Sequence, residues 1–145
     1  MSERAHVLIV AHQTATTEPL LQAVRNRAQS GPAGFHLLVP RQAHGLHRVV
    51  DPQDSSNEEA AAVIVAALPR LTEAAGSEVT GSMGDSEPLA AIQDAVNLGD
   101  FAEIIISTLP LGVSRWLRLD LVSKTRGLGL PVTHVEASSR DRVPL

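Results

Sequence analysis

Two stretches of the chain, Val7-Leu8-Ile9-Val10-Ala11 and Phe35-His36-Leu37-Leu38-Val39, run apolar almost without a break, and a third does so at Ile104-Ile105-Ile106. A strand with one wet face alternates apolar and polar residues, whereas one that is apolar at successive positions has both faces covered. These runs therefore predict central strands of a parallel sheet, sandwiched between helices.

The segments between them read as those helices. Thr17-Glu18-Pro19-Leu20 has a hydroxyl to cap, an acid for the first turn and a proline where a helix tolerates one. Leu20, Leu21, Val24 and Ala28 continue at helical spacing to Gly31-Pro32, which ends the helix. Ser86-Glu87-Pro88-Leu89 repeats the same start ahead of Ile92 and Val96. Ser56 and Glu59 have capping-box spacing before an apolar-rich helix over 60–75, which Pro69 should kink or split. Residues 78–83 alternate as an edge strand would, a short helix is expected over 121–126, and Pro131-Val132-Thr133-His134-Val135 is the last strand. Strand and helix thus alternate throughout. That order predicts a doubly wound, Rossmann-like α/β fold, with a five-stranded, mostly parallel sheet and helices on both faces.

A chain of 145 residues is enough for one such core and too short for two. The domain is expected over 1–137, followed by a polar tail over 138–145. Phe35, Phe101 and Trp116 are the only aromatic residues, so Val, Ile, Leu and Ala must fill the interior. The absence of cysteine excludes disulfides, thiolate metal sites and cysteine nucleophiles. A net charge of −4, with Lys124 the single lysine, argues against a sequence-independent grip on nucleic acid. The apolar stretch behind Glu3 and Arg4 is too short for a signal-peptide core, and no run approaches the roughly 20 residues of a membrane span. A cytoplasmic protein is the expectation.

Open parallel sheets bind ligands beyond the carboxyl ends of their strands, where the strand order reverses. That rule selects Ala11, His12 and Gln13 after the first strand, and the loop over 107–121 after the fourth. Ser107, Thr108, Gly112, Ser114 and Arg115 in that loop offer hydroxyls, a flexible glycine and a guanidinium suited to a small anion or a carboxylate. The competing reading is that Thr108 and Ser114 cap local turns, Trp116 and Leu117 anchor the loop, and Arg115 and Arg118 are solvated. Trp116 has three possible uses: lid on a pocket, interface anchor, or core residue.

Over 7–135 the element order, the size and the closing Leu130-Pro131-Val132 resemble the universal stress protein family. The resemblance implies the strand order 3-2-1-4-5, a role in stress response, and homodimerisation through the last strand, here Val132-Thr133-His134-Val135. It also implies a phosphate loop for ATP or AMP: glycine, two residues, glycine, nine residues, then glycine with a hydroxyl residue. Here Ser107 and Pro110 occupy the first two glycine positions, and nine residues separate Pro110 from Asp120-Leu121. The acidic residue that family members carry after the first strand is also missing from Ala11-His12-Gln13. Phosphate loops use glycine so that backbone N–H groups can approach the oxygens, and Pro110 has no N–H. Asp120, read as the N-cap of the last helix, would bring a carboxylate to the place of a phosphate. The expectation is a homodimeric binding or regulatory module without catalysis and without a bound cofactor. The alternative is a sensor of an adenine nucleotide or another small anion.

Other groupings are weaker. His44, His47, Asp51 and Asp54 share a polar loop without a regular helix to fix their spacing, so no metal is expected. Ser107, His12 and Asp85 could be assembled into a triad only by selection, since no nucleophile-elbow pattern surrounds Ser107. His6, His36 and His134 are read as core or edge histidines with satisfied nitrogens, and Glu58, Glu59 and Glu73 as solvated helix faces.

Overall fold

The computed structural model describes residues 4–42, 52–110 and 113–137, and for 52–56 the backbone alone. β1 (Ala5–Val10), α1 (Glu18–Gln29), β2 (Ala33–Pro40), α2 (Pro52–Ala75), β3 (Thr80–Gly84), α3 (Pro88–Leu98), β4 (Glu103–Thr108), α4 (Arg115–Arg118), α5 (Leu121–Arg126) and β5 (Val132–Glu136) follow in that order. Every strand pair is parallel and the sheet order is β3-β2-β1-β4-β5. The reversal lies between β1 and β4.

The apolar runs do what their composition requires. Val7 and Ile9 of β1 pack with Leu37, Leu20, Val24, Ala67 and Leu71 beneath α1 and α2. Leu8 and Val10 turn the other way, onto Ile104, Ile106, Ile92 and Leu121 beneath α3 and α5. Neighbouring residues of one strand thus feed two cores, which is why β1 cannot alternate. β3, whose pattern is mixed, lies at the edge as expected.

Several local expectations are corrected. Thr17 is the residue before α1, but its hydroxyl makes no cap and donates to the Thr14 carbonyl at 2.8 Å. Glu87, not Ser86, precedes α3. α2 begins at Pro52, which puts Ser56 inside the helix rather than at its cap. Pro69 does not split α2. The proline is exposed while Ala67 and Leu71 on either side of it are fully buried, so packing keeps the helix continuous despite the missing N–H. α4 was not foreseen. Asp120 precedes α5 in a left-handed conformation, φ 58° and ψ 38°, and its side chain caps nothing. The loop over 43–51, which includes His44, His47 and Asp51, lies outside the described residues, as do the side chain of Asp54 and the tail over 138–145.

Candidate functional site

Beyond the carboxyl ends of β1, β2 and β4 lies a cavity of about 280 Å3 at the point where the sheet order reverses. Of the residues singled out in the sequence, it brings together His12, Gln13, Ser107, Thr108, Ser114 and Arg115. Ala11 does not line it, being fully buried in the core beneath α1 and α2. Gly112 lies outside the described residues.

The hydroxyls of this set are already occupied. Ser107 Oγ is 2.7 Å from Thr14 Oγ1, both residues buried, so a hydroxyl pair clasps the loop after β1 to the end of β4. Thr108 Oγ1 donates to the Leu109 carbonyl at 2.9 Å. Its single proton is then spent, so the 2.9 Å contact to His134 Nε2 requires the ring to donate. Ser114 Oγ accepts from the Leu117 N–H at 3.1 Å and caps α4, as the turn-capping reading held. The backbone turns inward too: the N–H groups of Val113 and Ser114 both donate to the Pro110 carbonyl at 3.1 Å. Neither amide is left to face an anion in the cavity. Here they close a turn.

His12 is the exception. Neither ring nitrogen has a hydrogen-bond partner among the described residues, although both atoms are shielded from solvent. Burial lowers its pKa below 6.5, and the negative charge of Glu59 opposes that shift only in part. The ring at neutral pH therefore carries one N–H and one lone pair, neither with a partner among the described residues, in a side chain that lines the cavity. Unpaired polar groups in such surroundings cost about 1–3 kcal/mol each. A ligand able to donate and accept would remove that cost.

Reading the strand ends in sequence missed part of the wall. Pro40, Arg41 and Gln42, at the end of β2, line the cavity as well. Arg41 is anchored by its Nε to the Gly84 carbonyl at 3.0 Å and by Nη1 to Asn57 Oδ1 at 3.1 Å. The reversal rule names only the strands that flank the switch, although β2 pairs with β1 and runs two residues past its end. Trp116 both lines the cavity and packs on the core beneath α3 and α5, so lid and core residue describe it together. The suggested triad does not form: Ser107 bonds to Thr14, and Asp85 Oδ1 accepts the Glu87 N–H at 2.9 Å.

The sequence matches no family model, and no curated protein matches it. Solved structures do. A universal stress protein family member from Burkholderia pseudomallei superposes with a TM-score of 0.66 at 16% identity, over 92% of this chain and 97% of that one. The universal stress protein of Archaeoglobus fulgidus in complex with dAMP gives 0.62 at 18% identity, over 93% and 99%. An Arabidopsis thaliana universal stress protein family member with AMP bound gives 0.56 at 10% identity, over 94% of each chain. Strand order, helix placement and near-complete mutual coverage agree: this chain has the fold of the universal stress proteins.

Proposed function

We propose that the protein is a small-ligand-binding regulatory module whose switch-point cavity takes a nucleoside monophosphate or a ligand of similar size, but not ATP in a phosphate cradle. The observation that carries this is His12, which lines the cavity and whose two ring nitrogens are shielded and have no partner among the described residues. A volume of about 280 Å3 is at the low end for small-molecule sites, roughly 300–1,000 Å3, and favours a compact ligand. Similar folds that hold dAMP and AMP support the adenine class. Against a triphosphate stand Pro110, the inward-turned amides of Val113 and Ser114, and the clasped hydroxyl of Ser107. Among the described residues, the hydroxyl of the cavity wall that meets an imidazole, Thr108 Oγ1, spends its proton on the Leu109 carbonyl, so the reading is binding without chemistry at this site.

A thermal-shift panel with AMP, cyclic AMP, ATP, phosphate and no ligand tests it, because binding to the native state raises the melting temperature. AMP or cyclic AMP should raise it more than ATP, and the gain should vanish in His12→Leu. A flat response across the panel at millimolar concentration would sink the reading.

A second feature supports a homodimer. β5 ends the sheet, so one side of Val132–Glu136 has no strand beside it among the described residues, and a second copy could pair there. Light scattering at micromolar concentration should give twice the chain mass.

A further inference from the structure

On the face of the sheet that carries α3, the helix leaves part of β2 and β3 uncovered. The resulting trough, of about 470 Å3, shares no lining residue with the switch-point cavity. On its floor the ring of His36 lies between two hydroxyls of the edge strand. Nδ1 is 2.6 Å from Thr80 Oγ1, and Nε2 is 2.8 Å from Ser82 Oγ. The parallel register that sets His36 beside Thr80 produces this arrangement, because residues 80 and 82 point to the same side of β3.

A neutral imidazole has one N–H and one lone pair, so one hydroxyl must accept from the ring and the other must donate to it. With Nδ1–H donating to Thr80, the lone pair on Nε2 receives the Ser82 proton. Nucleophile, base and orienting group are then in hydrogen-bond contact. Burial lowers the His36 pKa below 6.5, which keeps the ring in its proton-accepting form at neutral pH. Phe101 lies against the ring, with centroids 6.3 Å apart.

The edge position adds donors. The Gly84 carbonyl faces β2, where it accepts from the Arg41 N–H, whereas the Val79 N–H turns away to Thr72. Strand alternation therefore directs the N–H groups of Gly81 and Met83, on either side of Ser82, along the unpaired edge. Backbone N–H groups beside a nucleophile are what an oxyanion needs.

We propose that Ser82 is an activated nucleophile that takes up the acyl group of small carboxylic esters in this trough. Ala95, Leu98 and Phe101 form an apolar wall for the acyl chain, and Glu78 favours an uncharged or cationic alcohol portion. Ser82 Oγ bonds to the ester carbon as its proton passes to His36 Nε2. The C–O bond to the alcohol breaks with its electron pair on the leaving oxygen, which takes the proton from Nε2. Water then attacks the acyl-serine, giving a proton to Nε2. Ser82 Oγ leaves and regains that proton, and the carboxylic acid departs.

The test treats the full chain with a fluorophosphonate probe and with p-nitrophenyl acetate, locating the modified residue by mass spectrometry. Label on Ser82 is expected, absent in Ser82→Ala and slowed ~100-fold in His36→Gln, the usual scale of general-base assistance. Thr80→Val should slow labelling less. The rate should fall as pH drops through the His36 titration; His6 and Glu78 are the other titratable groups lining the trough. Urea midpoints establish that the variants fold. Should Ser82→Ala not fold, Ser82→Cys keeps a nucleophile, and its alkylation by iodoacetamide must likewise slow in His36→Gln. Label elsewhere, no label, or a rate at Ser82 indifferent to His36→Gln at every pH overturns the proposal and reduces the two bonds to satisfying an edge histidine.

Discussion

His12, in the loop just beyond β1, and His36, in β2, are both held neutral by burial, yet their surroundings are opposite. His12 adjoins hydroxyls that are bonded to one another or to backbone, and among the described residues it has no partner. His36 adjoins two hydroxyls that are both within hydrogen-bond distance of its ring. The contrast separates binding from chemistry. An unpartnered ring beside a cavity supplies a reason to take up a ligand, whereas a ring between two hydroxyls supplies a place for a proton to move.

The largest expected disturbance of this contrast is at the end of β3, two residues beyond Ser82. A Cβ on Gly84 would lie 2.7 Å from Ala91 Cβ and 2.9 Å from Leu38 Cδ1, so β3 and α3 touch there only because the residue is glycine. Gly84→Val should cost about 3 kcal/mol by overpacking, read as a lower urea midpoint at constant slope. It should alter Ser82 labelling and, because the Gly84 carbonyl anchors Arg41 on the wall of the other site, change the ligand shifts there to a lesser degree.

Next comes the clasp. Ser107→Ala leaves the Thr14 hydroxyl buried and unpaired, a cost of about 2 kcal/mol, and Thr14→Val in the same chain should restore part of it. Here the labelling of Ser82 should be the property that stays constant.

His12→Leu has a smaller effect and the opposite sign. Without ligand it should stabilise by about 1 kcal/mol, since two unpaired nitrogens are removed. It should also change the response to acid. His12, His36 and His134 all have folded pKa values lowered by burial, so below 6.5 the unfolded chain binds more protons than the folded one. Their contribution is complete above 6.5 and is lost as pH falls through the lower folded values. Denaturation across that window should show a shallower acid loss in His12→Leu, with His36 and His134 carrying the remainder. The smallest effect is expected at Arg27→Gln. That residue pairs with Glu103 at 2.8 Å in a partly exposed setting remote from both histidines, which predicts under about 1 kcal/mol and no change at either site.

Much of the fold was legible because burial leaves a mark on composition. The apolar runs placed β1, β2 and β4, and the proline and glycine signals bounded α1. The helix over Leu121–Arg126 was foreseen to the residue. Where local signals competed with packing, packing prevailed, as at Pro69 between two buried neighbours. α4 is too short to show a period. At the candidate site the sequence supplied His12, Ser107 and Ser114 but not their partners. The Thr14–Ser107 clasp spans 93 positions, and the His36 array depends on the β2–β3 register. Neither relation is carried by any local pattern.

The clasp also bears on how the molecule opens. It joins the turn that leads into α1 to the end of β4, on either side of the line where the two halves of the sheet meet. Two halves tied there cannot loosen independently. Hydrogen exchange should therefore show the amides of β1 and β4 released in one cooperative event, and a ligand seated against the clasp should slow both together.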